Sequence, residues 1–445
     1  MTGEASSFPQ DFVWGASTSS YQIEGAVAED GRGKSIWDVY SHTPGRVANG
    51  DTGDVSCDHY HRWREDIDLL AAAGFNAYRF STAWSRIKPD GSGAVEPRGL
   101  DFYDRLVDGL MSRGIAPWLC LYHWDLPQAL QDKGGWTNRD IVRHFADYAV
   151  VVARRLGDRV KHWAMLNEAN VHAVLGCGSG GGAPGVTGLE NMTAAWHHLN
   201  LAQGRALSAL RAERADLRLG TVIALQPVRP AAADEADRRA AARFDAFWNG
   251  ACLDPLFRGH YPAPIAGEFA HVIADGDLAA TKAPVDFLGV NYYAPSYITH
   301  APGSLLGLRF GAVPEGLPVT ALGWAIDPDA LVEELVHLRA RCGDPDLYIT
   351  ENGACFDEVV AGDGTVHDDD RIDYLSRHLD AAGRAIAAGV KLRGYFVWSL
   401  LDNFEWSEGY SRRFGIVHVD YATLRRTPKA SYRWLTDFIA RQKNR

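Results

Sequence analysis

The sequence predicts an α/β chain folded as a (β/α)8 TIM barrel, one catalytic domain over residues 1–445 with long loops after its strands. Three observations carry this. Eight short apolar runs alternate with helical periods, unusual polar and aromatic residues gather at the C-terminal ends of those runs, and no Pro- or Ser-rich linker divides the chain. Buried strands alternating with helices imply parallel pairing through right-handed crossovers. Eight such units suffice to close a barrel.

The strand candidates, in order, are "DFVWGAS" (11–17), "NAYRFS" (76–81), "APWLCLY" (116–122), "KHWAML" (161–166), "RLGTVIAL" (218–225), "DFLGVNYY" (286–293), "DLYITE" (346–351) and "RGYFVWSL" (393–400). Each is short, apolar and rich in β-branched or aromatic residues, which suits a strand covered on both faces. Helical periods lie between most of them, at 60–74, 100–114, 138–157, 192–213 and 328–342. A minimal barrel takes about 250 residues. The surplus is assigned to loops at 30–58, 167–191, 226–248, 294–327 and 352–370. The most irregular stretch is "GCGSGGGAPG" at 176–185.

Composition narrows the function classes. The chain is 46% hydrophobic and 23% charged, enough for a large core. A net charge of -11 favours neither nucleic acid nor an anionic membrane as partner. No apolar run reaches the ~18 residues of a membrane helix. "MTGEASSFPQDF" has no basic segment followed by an apolar one, so a cytoplasmic location is expected. Six scattered cysteines without a CxxC read as reduced thiols, not a disulfide frame or a zinc site. Oligomeric state leaves no mark in these patterns. Fourteen tryptophans stand out: a flat indole with a polar edge stacks on the C–H face of a sugar, although it also fills cores.

In a parallel barrel the active site lies at the C-terminal ends of the strands. There the sequence places Arg79 on strand 2, Tyr122-His123-Trp124-Asp125 after strand 3 and Asn167-Glu168 at strand 4. Strand 6 ends near Asn291-Tyr292-Tyr293, strand 7 on Glu351 and strand 8 at Trp398. A charge at the end of the buried run "DLYITENGAC" is costly unless something uses or neutralises it. Two carboxylates in an aromatic-lined cup fit glycoside hydrolysis without metal or organic cofactor. Glu168 must stay neutral to protonate a leaving oxygen. Glu351 must stay ionised to attack the anomeric carbon. Arg79 and a hydroxyl from Tyr293 are expected to hold Glu351 charged and oriented, with Asn291 beside them.

Four longer motifs then show that the chain resembles glycoside hydrolase family 1, the retaining β-glucosidases. They are "FVWGASTSSYQIEGA" (12–26), "ITENG" (349–353), "VWSLLDNFEWSEGYSRRFGIVHVD" (397–420) and "SYRW" (431–434). The resemblance implies Glu351 as nucleophile and Glu168 as acid/base. It implies Gln22, His123, Asn167 and Glu405 as ligands of the non-reducing sugar's hydroxyls. Trp398 becomes the platform under that sugar, Trp406 and Trp124 its walls, and Trp324 the stacking surface for the next sugar or aglycone. The implied substrate is a small β-glycoside. Glu405 with Phe414 favours unphosphorylated sugars, because a carboxylate would repel a phosphate. Trp14, Trp37, Trp84, Trp163 and Trp434 are assigned to packing.

The chain departs from the family's pattern around the acid/base and in the loop after it. Met165-Leu166-Asn167-Glu168-Ala169 stands where Thr-Phe/Leu-Asn-Glu-Pro is usual. Gly176-Cys177 and Gly182-Ala183-Pro184-Gly185 stand where Gly-Tyr and His-Ala-Pro-Gly are usual. The fastening of Glu168 and the leaving-group preference therefore depend on this chain's own residues. A transglycosidase would use the same covalent ester with a bound acceptor. A sugar-binding barrel that had lost its chemistry would need neither glutamate.

Overall fold

All eight predicted runs form strands of one closed parallel barrel in the computed structural model, which describes residues 8–444. They are β1 Val13–Ser17, β2 Ala77–Ser81, β3 Ala116–Cys120, β4 His162–Asn167, β5 Arg218–Ala224, β6 Phe287–Asn291, β7 Leu347–Asn352 and β8 Leu392–Trp398. The hydrogen-bonded order runs β1-β8-β7-β6-β5-β4-β3-β2 and back to β1. Strand β7 extends one residue past Glu351. The reading of "MTGEASSFPQDF" falls partly on residues 1–7, outside the described residues. Among the described residues no helix is long and apolar enough to cross a membrane.

The ring of helices has clear local causes. These include α1 His59–Ala72, α2 Pro97–Met111, α3 Ile141–Leu156 and α4 Leu189–Glu213. Helix α2 buries Tyr103, Leu106, Val107 and Leu110, a stripe at helical spacing. Each such side chain contributes roughly 1.5–3 kcal/mol relative to exposure. Trp14, Trp37, Trp84 and Trp163 are buried, and Trp434 packs on Phe438 with ring centroids 5.5 Å apart.

The stretch 226–248 is not the loop expected. Val228–Pro230 joins a three-stranded sheet with Ser296–His300 and Leu308–Phe310. Helix α5 Glu235–Asp245 follows, capped by Asp234, whose side chain accepts from the Asp237 amide at 2.8 Å. Its buried face is mostly alanine, Ala240 and Ala241 beside Phe244, so its apolar stripe is faint in sequence. The chain then has α6 Pro328–Cys342 before β7, α7 Asp369–Ala387 before β8 and α8 Ala430–Lys443 at its end. Asp369 and Asp370, read as loop, open α7.

Inside the barrel the side chains lie in layers. At the N-terminal end Ala77, Trp118, Phe287, Tyr348 and Phe396 make a plug. Trp118 stacks on His162 at 4.0 Å and meets Phe287, Tyr348 and Phe396 edge-on at 5.4, 4.7 and 5.1 Å. Cys120, Ala164 and Val222 form a thin layer above it. The third layer is polar.

Candidate active site

That third layer holds the candidate site residues. Side chains alternate along a strand, so Tyr348 and Thr350 share the inner face of β7 and Glu351 should point outward. The pairing with β6 shifts between Ile349 and Glu351, and the extra residue turns Glu351 inward. Strand β4 does the same, with a shift between Ala164 and Asn167. Both candidate glutamates thus follow a break in register. The turn after Glu351 needs its glycine, because a Cβ on Gly353 would lie 1.8 Å from the Trp398 carbonyl oxygen.

Four strands then tie one network. Arg79 Nη1 donates to Glu351 Oε1 at 2.6 Å, and Arg79 Nη2 to Asn167 Oδ1 at 2.5 Å. Tyr293 Oη donates to Glu351 Oε2 at 2.7 Å. Asn291 Nδ2 donates to Glu168 Oε1 at 2.9 Å and to Asn167 Oδ1 at 3.1 Å, while its own Oδ1 accepts from Thr350 Oγ1 at 2.7 Å. Asn291 was expected to orient Glu351; it helps to hold that carboxyl down, and its amide also donates to Glu168. Met165 and Ala169 are buried, and Glu168 is held by Asn291 and by its own amide, which donates to Val222 O at 2.8 Å. Glu168 adopts a left-handed backbone, φ 48°, at the start of a short helix Ala169–Val171 that widens into a π-turn at His172–Gly176. Such strain costs on the order of 1–3 kcal/mol and collects at functional positions.

The two glutamates differ electrostatically. Burial, then the charge of Glu351, raises Glu168 to about 8. Burial also raises Glu351, but the Arg79 guanidinium and the Tyr293 hydroxyl oppose the rise. Glu351 is therefore the first of the pair to ionise, and Glu168 the one that keeps a proton.

The aromatic residues gather around this network. Trp398 is buried and joined to Ser399 by a cis peptide bond. His123 stacks between Trp398 and Trp406, 5.8 Å from each. Trp124 meets Trp406 at 4.8 Å and its Nε1 donates to Asn167 O at 2.9 Å. Trp324 is 38% exposed at the rim, 5.4 Å from Tyr293 and 6.2 Å from Phe414.

Two candidate sugar ligands have a polar atom to spare. Asn167 Nδ2 donates to His123 Nε2 at 3.0 Å, so the proton of His123 sits on Nδ1, which is buried without a partner. Burial, with the Arg79 charge, keeps this ring neutral. Glu405 Oε2 is also buried and unpartnered, and loss of hydration, with the charge of Glu351, raises that carboxyl to about 8. Gln22 is more committed than expected. Its Nε2 donates to Asn403 Oδ1 and Phe404 O, both at 3.0 Å, and its Oε1 accepts from Ser19 Oγ at 2.6 Å. It can offer a hydroxyl only its remaining carbonyl lone pair.

Sequence reasoning missed the supports Ser19, Thr350 and Asn403. All three lie inside the quoted motifs, and that membership was their only signal. Glu358, Asp402 and His418 cluster as metal ligands can. Lys429 Nζ lies 2.6 Å from Glu358 Oε2 and 2.8 Å from Asp402 Oδ1, so an ammonium already neutralises them.

The family model described as Glycosyl hydrolase family 1 matches residues 4–444. The chain is 47% identical over 436 residues to Beta-glucosidase A of Thermotoga maritima, covering 97% of each protein. It is also 47% identical over 436 residues to the 1,4-beta-D-glucan glucohydrolase of Thermotoga neapolitana, covering 97% of this chain and 98% of that one. Among solved structures, a family 1 β-glucosidase from Thermotoga maritima superposes with a TM-score of 0.95 at 46% identity, over 98% of this chain and 99% of that chain.

Proposed function

This chain belongs to glycosyl hydrolase family 1 and is a retaining β-glucosidase, and we propose that Glu351 is its nucleophile and Glu168 its acid/base. The observation that carries the assignment is the difference between the two carboxyls. Glu351 is fastened by Arg79 and Tyr293, whereas Glu168, across Asn291, is raised to about 8.

The reaction runs in two displacements. An oxygen of Glu351 attacks the anomeric carbon as the bond to the aglycone oxygen breaks, and Glu168 gives that oxygen its proton. The product is a glycosyl ester on Glu351. Esterification removes the negative charge beside Glu168, so its pKa falls and it becomes a base. Water then attacks the same carbon, Glu168 takes its proton, and the ester bond breaks. His123, Asn167, Glu405 and the last lone pair of Gln22 bind the sugar hydroxyls. Trp398 lies under the ring, Trp124 and Trp406 wall it, and Trp324 receives the aglycone. Unpartnered donor and acceptor atoms on His123 and Glu405 support this set.

The substrate is a small unphosphorylated β-glucoside, with short β-1,4-glucans among the candidates. That range is supported by the presence of Glu405 and Phe414 at their positions and by the likeness to a glucan glucohydrolase. The reading takes the chain as one catalytic domain. Six unpaired, buried cysteines support a reducing, cytoplasmic setting.

A 2-deoxy-2-fluoro-β-glucoside with a good leaving group tests the assignment. Peptide mapping is expected to find the fluoroglucosyl ester on Glu351, and an ester elsewhere overturns it. In Glu168→Ala, added azide should yield a β-glucosyl azide. An α-azide would contradict retention.

A further inference from the structure

We propose that Asp125 is a positioning residue that sets Gln22, His123 and Trp124 at their mutual spacing for the sugar, acting through Ser20 and Ser81. The proposal rests on the glucosidase reading. It starts from a strained backbone. Trp124 has φ 73°, a left-handed conformation that a bulky side chain adopts only when its surroundings impose it. The same turn presents His123 and Trp124 to the site, so whatever holds it also aims them.

Asp125 is the next residue and is fully buried. Its Oδ2 accepts from Ser20 Oγ at 2.7 Å. Ser81 Oγ donates to Ser20 Oγ at 3.0 Å and accepts from the Ser20 amide at 2.8 Å. Ser20 opens the helical turn Ser20–Ile23 that carries Gln22. Ser81 ends β2, two residues beyond Arg79. One chain of hydrogen bonds therefore joins the ends of β1, β2 and β3, and each of these ends supplies a residue of the site.

The chemistry of Asp125 argues against mere space-filling. Its Oδ1 is buried without a partner, and burial raises the carboxyl to about 7, with Glu24 adding to the rise and Arg32 opposing it. A carboxyl with so few donors is an expensive filler, and an apolar residue of similar volume would cost less. What an apolar residue lacks is the acceptor that fixes Ser20. An amide retains that acceptor, so asparagine should hold Ser20 as the carboxyl does.

The test compares Asp125→Leu, Asp125→Asn, Ser20→Ala and the double variant Ser20→Ala/Asp125→Leu. The readouts are kcat and KM on an aryl β-glucoside, the inhibition constant of deoxynojirimycin as probe of the sugar pocket, and the melting temperature. Losing one hydrogen bond of this kind is worth up to about tenfold in affinity. Asp125→Leu is expected to raise KM and the inhibition constant together by about tenfold, with kcat within about threefold. Asp125→Asn should stay within about twofold of the unaltered protein, and the double variant should match Asp125→Leu because both act on one link.

An unchanged inhibition constant in Asp125→Leu, whatever happens to its melting temperature, overturns the proposal. So does Asp125→Asn failing as badly as Asp125→Leu, or additive losses in the double variant. If the unaltered protein neither turns over the glucoside nor binds the probe, the glucosidase reading falls and takes the proposal with it. An active parent with an unmoved variant sinks the proposal alone.

Discussion

The two ends of the barrel are made from the same eight strands and obey opposite rules. At the N-terminal end the interior is an aromatic plug of Trp118, Phe287, Tyr348 and Phe396. A few residues further along the same strands stand Arg79, Asn167, Asn291 and Glu351 in one hydrogen-bonded network. No polar atom of the plug is both fully buried and unpartnered. The network leaves Arg79 Nε, His123 Nδ1 and Glu405 Oε2 buried and unsatisfied, and holds Glu168, Trp124 and Trp406 in left-handed backbone. The difference teaches a division of labour: one end supplies stability, and the other uses part of it to keep reactive groups in strained, half-satisfied positions.

The sharpest way to break this division is at its two extremes. Glu351→Ala should lower kcat on an aryl β-glucoside by at least ~10⁴-fold, since it deletes the atom that bonds to sugar. Initial rates measure this. A loss below tenfold would move the nucleophile elsewhere. At the other end, Trp118→Ala should cost about 3–5 kcal/mol of unfolding free energy, the range for large aromatic truncations in a packed core. Urea unfolding measures it. The folded fraction should keep kcat and KM within about twofold, and a large change in KM would show that the ends are not independent.

The same division explains how much could be read in the sequence. The packed end was legible because its rules are local. All eight strands announce themselves as apolar runs, and α6 is bounded as expected because both its ends carry a signal: Asp327-Pro328 opens it and Gly343, φ 78°, closes it. Helix α5 was missed where alanines replaced a strong apolar stripe. At the functional end, motif residues gave the identities of the groups but not their arrangement. Simple alternation points Glu351 out of the barrel, and only a register shift between Ile349 and Glu351 brings it in. Strand pairing decides that shift, which no single strand's pattern contains. The gift of Asn291 to Glu168, and the commitment of Gln22 to Asn403 and Phe404, are likewise properties of the assembled site.

A smaller and more discriminating effect lies in pH. Glu168 has a usual value of 4.5 and is raised to about 8 in the fold. Across that window the folded chain holds a proton at this position that the unfolded chain has released. Stability then falls as pH rises, because the folded state binds the extra proton. The contribution is complete below about 4.5 and is lost as pH passes through about 8. Glutamine mimics the protonated acid at every pH. Glu168→Gln should therefore melt with the unaltered protein near pH 4.5, melt progressively higher than it as pH rises, and hold a constant advantage above about 8. Glu405, also raised to about 8, titrates in both proteins, and only its repulsion of Glu168, the smallest of the causes acting there, enters the difference. Turnover should mirror this, with kcat/KM of the unaltered enzyme falling on an alkaline limb near pH 8 that the variant lacks. Differential melting across pH 4 to 9 would show the trend. An advantage that shrinks with rising pH would mean that Glu168 rests ionised, and the roles of the two glutamates would have to be exchanged.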